Sequence, residues 1–312
     1  MYKFIITVIC CYVQVVYACD FCGCSPSVMN SDLLSLQPQS SIGINSNYKG
    51  YKYLSNENGL LKSHMVSNNL MVAYAPKNWV ELRVNLPLIW MMNQYSGVKD
   101  NTFGIGDMSL LSNFKVVNRS PIGTNRKVGH TLLLGFGLEF PTGKNQVSDD
   151  VQLQNFTLGS KSMDFLFSGV YSMSYRKWNV IGAGLVKINT ENKDKVRYGH
   201  LYSIQAGTAY THTFKKCQLL PNMGLRAEIQ QKNLHNRIIQ KFTGSYALFI
   251  QYGADLNIKN FNMGVQIQHP LVQNTAFNSI KQQSNFSFKV AYIIKKKVKV
   301  AATENELSEN KN

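Results

Sequence analysis

Apolar and polar residues alternate one by one through much of this chain. In Trp79–Trp90, the residues Val80, Leu82, Val84, Leu86, Leu88 and Trp90 fall on one side. Glu81, Arg83, Asn85 and Pro87 fall on the other. In Met163–Tyr175, one side carries Met163, Phe165, Phe167, Tyr171, Met173 and Tyr175, and the other carries Asp164, Ser168, Ser172 and Ser174. Tyr246–Ile258, Phe261–His269 and Asn285–Ile294 repeat the pattern. A period of two marks an extended strand with one face in an apolar medium and the other in a polar one. Compatible but weaker alternation runs through Ser40–Tyr53, Val66–Tyr74, Phe103–Val117, Val128–Phe140, Trp178–Asn189, Tyr198–Phe214 and Cys217–Lys232. The expectation is therefore an all-β fold, a transmembrane antiparallel up-and-down β-barrel of about 12 strands over residues 40–294.

The connections support the same reading. Starting from the first strand they run long, short, long, short to the last. The long ones are 54–65, 93–102, 141–162, 190–197, 233–245 and 270–284. The short ones are 75–78, 118–127, 176–177, 215–216 and 259–260. Outer-membrane barrels have short periplasmic turns and longer outer loops, whereas a soluble sandwich has no reason to alternate in this way. An even strand number then places both termini on the periplasmic side of a bacterial outer membrane. Trp79, Trp90, Trp178, Tyr74, Tyr175, Tyr210 and Tyr292 stand near strand ends, where an interfacial aromatic girdle belongs.

The ends of the chain fit an exported protein. Lys3 precedes an apolar stretch from Phe4 to Val16, and Val16-Tyr17-Ala18 has the form of a cleavage site, so residues 1–18 read as a signal peptide. Residues 19–39 form a short cysteine-rich segment before the barrel. Residues 295–312 form a tail that is first basic and then polar. Composition agrees: the chain is 44% hydrophobic and only 16% charged, with 16 tyrosines and 16 phenylalanines.

The formal charge of +16 is unevenly placed. The inferred periplasmic turns hold Lys77, Arg119, Arg126, Lys127, Arg176, Lys177, Lys215, Lys216 and Lys259. Lys295, Lys296, Lys297 and Lys299 follow the last strand. No Asp or Glu accompanies them, while the outer loops mix signs, as in Glu191, Lys193, Asp194 and Lys195. A basic rim suits contact with the phosphates of outer-membrane lipid. The other use is attraction of anionic solutes to a pore mouth. Nucleic-acid binding is excluded, because the basic residues are scattered over distant turns and form no known motif.

The polar side of the strands carries Glu81, Arg83, Asp107, Lys115, Glu139, Asp164, Lys187, Arg226, Glu228, Asp255 and Lys289. These residues are expected to line the lumen. A twelve-stranded barrel is narrow enough for side chains to fill much of it. Two readings stand side by side, an ion-pair network bracing the wall and a selectivity lining.

Cys19, Cys22 and Cys24 fall within six residues at the expected mature N-terminus, and Cys217 lies in a turn on the same side. A disulfide, which could include Cys217, a Cu or Zn site, and lipidation of Cys19 all fit the spacing. A metal at these cysteines is the sole cofactor the residues suggest. His64, His130, His200, His212, His235 and His269 are scattered and show no ligand spacing. No nucleophile elbow, zinc-protease motif or phosphate loop occurs, so no catalytic site is expected. Gly104-x-Gly106 and Gly182-x-Gly184 read as strand glycines that relieve crowding in a curved wall.

Two segments carry a family likeness. Phe103-Gly-Ile-Gly-Asp-Met-Ser-Leu-Leu-Ser-Asn-Phe-Lys115 resembles the Gly-x-Gly-Asp strand of the outer-membrane barrels grouped as meta-pathway phenol-degradation transporters. Gly137-Leu-Glu-Phe-Pro-Thr-Gly143 resembles the strand end that follows it there. The matching positions are Gly104, Gly106, Asp107, Pro141, Thr142 and Gly143. The N-terminal Cys-x-x-Cys-Gly-Cys is similar to that of Bacteroidetes-type transporter barrels. The resemblance implies a passive channel for small-molecule solutes, with hydrophobic or aromatic compounds as suspected cargo, and a structural role for the six motif residues. The alternative is a barrel that anchors a periplasmic metal-handling or redox segment at Cys19, Cys22 and Cys24. Oligomeric state is not legible.

Overall fold

A computed structural model describes residues 37–55, 59–95, 98–119, 127–143, 158–276 and 278–295. In chain order the strands are β1 (Ser40–Ser55), β2 (Gly59–Lys77), β3 (Val80–Tyr95), β4 (Val98–Ile105), β5 (Met108–Arg119), β6 (Val128–Phe140), β7 (Asp164–Tyr175), β8 (Trp178–Ile188) and β9 (Val196–Arg197). They continue as β10 (Leu201–Tyr210), β11 (His212–Phe214), β12 (Cys217–Gln230), β13 (Leu234–His235), β14 (Ile238–Ile239), β15 (Ser245–Ile258), β16 (Phe261–Thr275), β17 (Ile280–Gln282) and β18 (Asn285–Ile294).

The wall is a closed antiparallel barrel of 12 strands. Neighbours in sequence are neighbours in space, and β18 closes the ring on β1 from Ser40↔Ile294 to Tyr48↔Phe286. β4 and β5 together make one wall strand. Both pair with β3, β4 near its end and β5 near its start. β11 prolongs β10 along β12, and β17 pairs with β1 and β16. β9, β13 and β14 form a small separate sheet among the loops.

One end of the barrel gathers the start of β1, the end of β18 and the tight turns. We call it the terminal end, and the opposite one the loop end. Two expected long loops, 54–65 and 93–102, are instead mostly strand. The β1–β2 ladder runs on to Ser55↔Gly59, and the β3–β4 ladder to Tyr95↔Val98. Continued pairing satisfies backbone amides past the expected strand ends, so side-chain pattern alone understated these strands.

Burial is inverted relative to a soluble protein. Asn45 and Asp164 are 0% exposed, whereas Phe103 is 70% and Ile204 66% exposed. Outward apolar residues fit a wall in contact with hydrocarbon, and a closed ring leaves no backbone edge to it. Near the terminal end aromatic rings pair across strands. Trp178 meets Tyr210 at 5.0 Å and Phe261 meets Tyr292 at 5.2 Å. Lys77 lies over the Trp79 ring and Arg176 over the Tyr175 ring.

The expectation for Gly182 and Gly184 needs correction. A Cβ at Gly182 would meet nothing within 4 Å, and one at Gly184 would meet only the Ser203 carbonyl at 3.9 Å. Their neighbours Ile181, Ala183 and Leu185 are the buried, inward set. Gly182 and Gly184 thus face outward. With Gly169 and Ala206 they hollow an apolar depression of about 510 Å³ in the wall. Curvature does not crowd them, because the outer surface of a barrel spreads side chains apart.

Candidate functional site

The lumen divides into two differently built regions. At the loop end the wall strand breaks between β4 and β5 at Gly106-Asp107. The break is held by the segment after β6. Thr142 Oγ1 accepts the Met108 amide at 2.8 Å and donates to the Gly106 carbonyl at 3.0 Å, so one hydroxyl replaces the missing ladder bonds. Asp107 takes the Gly143 amide on Oδ1 at 2.8 Å. Its Oδ2 takes the Ser160 amide at 2.6 Å and the Ser160 hydroxyl at 2.8 Å. A buried carboxylate thereby ties residues 141–143 and 158–162 into the mouth of the barrel.

This accounts physically for Gly104, Gly106, Asp107, Thr142 and Gly143 of the motif. A Cβ at Gly106 would stand 2.8 Å from Ile89 Cδ1, 2.9 Å from Pro87 Cγ and 3.0 Å from the Leu158 carbonyl. One at Gly104 would stand 2.6 Å from Leu158 Cδ1. Here crowding is real, and it comes from the inserted segment and from β3. Leu158 packs with Met65, Ile89 and Met91 in an apolar cluster inside the lumen. Sequence reasoning missed this cluster. Its trace is the inner face of β3, which changes from Glu81, Arg83 and Asn85 to Pro87, Ile89 and Met91.

Polar contacts continue inward from Asp107. Ser160 Oγ reaches Asp164 at 3.5 Å, and Ser162 Oγ donates to Asp164 at 2.8 Å. The Thr190 amide donates to Asp164 at 2.9 Å. Lys187 pairs with Glu139 and stands 3.4 Å from Asp164. Above this network the Asn189 amide donates to His200 Nδ1 at 3.1 Å. Burial, with the Arg197 charge beside it, lowers the His200 pKa from the ordinary histidine value.

Toward the terminal end, Arg83 gives Nε and Nη2 to Glu81 Oε1 at 3.1 and 2.7 Å. Glu81 also accepts the Gln39 amide at 3.2 Å and Asn113 at 3.3 Å. Lys289 lies 3.8 Å from Asp255, which accepts Asn222 at 3.2 Å. In the loop half of β12, by contrast, Arg226 pairs with Glu228 and donates to Ser203 at 3.2 Å. Glu81, Arg83, Asp107, Glu139, Asp164, Lys187, Arg226, Glu228, Asp255 and Lys289 are all buried. Lys115 differs: it is half-buried and bonds Gln37 Oε1. A cavity of about 320 Å³ opens at this end, bordered by Arg83, Lys259, Lys289 and Lys295.

Cys217, at the head of β12, is half-buried and bridges no other described residue. Cys19, Cys22 and Cys24, the candidate metal, disulfide or lipid positions, lie outside the described residues, as do residues 1–18. Among the described residues, no group of three or more His, Cys, Asp or Glu could hold a metal ion.

The fold is similar to known outer-membrane barrels. The crystal structure of an outer membrane channel from Pseudomonas putida F1 superposes with a TM-score of 0.59 at 15% identity, covering 82% of this chain and 96% of that one. The β domain of the Bordetella autotransporter BrkA matches more loosely, with a TM-score of 0.48 at 10% identity over 81% of this chain and 99% of that one. The CymD monoaromatic hydrocarbon channel reaches 0.38 at 9% identity over 82% and 88%. No curated protein sequence matches. A family model does match residues 36–303, and the chain belongs to the family described as "Putative MetA-pathway of phenol degradation".

Proposed function

We propose that this protein is a passive outer-membrane channel for small molecules, with hydrophobic or aromatic compounds as its cargo. The observation that carries the proposal is the inside-out barrel. Its outer wall is apolar and its lumen is lined by hydrogen-bonded polar and charged groups. The family, and the description of the Pseudomonas putida barrel as an outer membrane channel, support the same reading. In this reading the terminal end faces the periplasm, and Lys77, Lys127, Arg176, Lys177, Lys215, Lys216 and Lys259 lie beside inner-leaflet phosphates. Each contributes about 1 kcal/mol of attraction when close to the surface. The segment 158–162 then restricts the lumen from the outer side.

Planar-bilayer recording of the purified protein tests the proposal. Discrete conductance steps are expected, together with slower uptake of small aromatic solutes by cells lacking the protein. Absence of both would overturn it.

A further inference from the structure

At the loop end one sector of the wall continues past its last wall pair. β12 ends at Gln230, opposite Leu201 of β10. Four residues beyond Gln230 and four before Leu201, Leu234 pairs with Arg197, so β13 and β9 keep the register of the wall ladder. Between the two ladders the Gln231 amide donates to the His200 carbonyl at 2.9 Å, and beyond them the Asn236 amide donates to the Lys195 carbonyl at 3.0 Å. β14 turns back through Asn236 and Arg237 along the side of β13 away from β9. The result is a three-stranded crest standing on β10 and β12. The 14 residues of β12, at about 3.3 Å each and a tilt of about 40°, rise about 35 Å, more than an apolar band of about 25 Å. The crest therefore stands beside lipid headgroups rather than acyl chains.

Its surface joins exposed apolar residues to cations. Ile238 is 67% and Phe242 51% exposed. By alternation Ile238, which pairs with His235, lies on the face of Ile229 in the outer wall. Residues 231–244 contain Lys232, Arg237 and Lys241 but neither Asp nor Glu. Arg237 and Lys241 are exposed and form no ion pair among the described residues. Each is the chain neighbour of an exposed apolar residue, Ile238 or Phe242.

The crest is also fixed in shape. Thr243 Oγ1 accepts the Asn233 amide at 3.0 Å and donates to the Gln240 carbonyl at 2.8 Å. Asn233 Oδ1 accepts the Gly199 amide at 2.9 Å. Asn236, Arg237 and Phe242 are held at φ of 51°, 64° and 60°, in the left-handed region that disfavours residues with a side chain. A fold that holds such a backbone and keeps large apolar residues in the open presents a contact surface.

We infer that the crest docks a phosphate-bearing lipid of the outer leaflet. The lipid's phosphates meet Arg237 and Lys241 in charge-assisted hydrogen bonds, and Ile238 and Phe242 rest against its apolar part. Charge selects this occupant: the cations of the crest match an anionic headgroup layer. The inference rests on the reading that places the terminal end in the periplasm.

The test is mass spectrometry of the full-length barrel under non-denaturing conditions, with lipid A and fully dephosphorylated lipid A of the same acyl chains as probes. Lipid A is expected to stay bound at least fivefold more than the dephosphorylated probe. Arg237→Ser with Lys241→Ser should cut that preference at least threefold, and Ile238→Asn should lower retention of both probes about threefold. Lys62→Ser with Lys99→Ser, equally exposed on β2 and β4 at the loop end, should leave the preference unchanged. All these side chains are exposed, and faster migration of unheated protein in gels checks that each barrel is folded. Equal retention of the two probes, no retention of either, or equal loss of preference in the two double variants would overturn the inference. Labelling of Lys241→Cys by a membrane-impermeant maleimide on intact cells judges the orientation, and labelling only after the outer membrane is opened would also overturn it. Bilayer conductance stands apart from all of these results, so the channel reading survives a crest that binds no lipid.

Discussion

The two ends of the lumen use buried charge in opposite ways. At the loop end, carboxylates outnumber cations. Glu139 and Asp164 share the ammonium of Lys187, and backbone amides and serine hydroxyls supply donors to Asp107 and Asp164. At the terminal end the cations face the cavity and the carboxylates stand behind them. A carboxylate accepts from backbone N–H groups and so can tie chain segments together. An ammonium or guanidinium only donates, so each buried cation here needs an acceptor such as Glu81 or Asp255. The acidic end is therefore built as a knot, and the basic end borders a cavity.

Lys187→Met should produce the largest change, because it leaves Glu139 and Asp164 buried without their cation. A loss of about 3–5 kcal/mol is expected, read from denaturant unfolding in detergent. The corresponding exposed pair, Lys161 with Asp194 at 2.9 Å, should be worth less than about 1 kcal/mol. Similar losses from Lys187→Met and Lys161→Met would break the comparison.

Asp107→Ala removes the acceptor of the Gly143 and Ser160 amides and of the Ser160 hydroxyl. It should cost roughly 3 kcal/mol and release residues 158–162 from the lumen. Single-channel conductance should rise and become noisier, and an unchanged current level would show that the segment does not restrict the pore. Thr142→Val, which removes one bridging hydroxyl, should cost about 1–1.5 kcal/mol and change conductance in the same direction but less.

The glycines sharpen the contrast between lumen and wall. Gly106→Ala should destabilise by about 1–3 kcal/mol, because its methyl group meets Ile89, Pro87 and the Leu158 carbonyl. Gly182→Ala meets open space, and it should be neutral or stabilising by up to about 1 kcal/mol through the unfolded chain. Parallel thermal unfolding of the two variants checks both, and equal destabilisation would mean that the wall is crowded on both sides.

Much of this was legible in the one-residue alternation. It marked the wall strands and the apolar outer face, because a barrel wall imposes a period of two wherever lipid and lumen oppose each other. It was silent where that opposition ends. The continuation of β1–β2 and β3–β4 past their expected ends depends on backbone pairing, which carries no side-chain signature. The apolar cluster of Leu158 with Met65, Ile89 and Met91 joins residues far apart in the chain, and no local pattern announces it.

The sequence by itself therefore determined the class of fold, the strand faces and the basic character of the short turns, since these follow from local periodicity and charge. The tertiary structure alone decided which charges meet. It set Asp107 against Ser160, Lys187 between Glu139 and Asp164, and Arg83 beside Lys289 on one cavity. Closing a ring of antiparallel strands fixes register between segments that the chain separates, and only register places one side chain across from another.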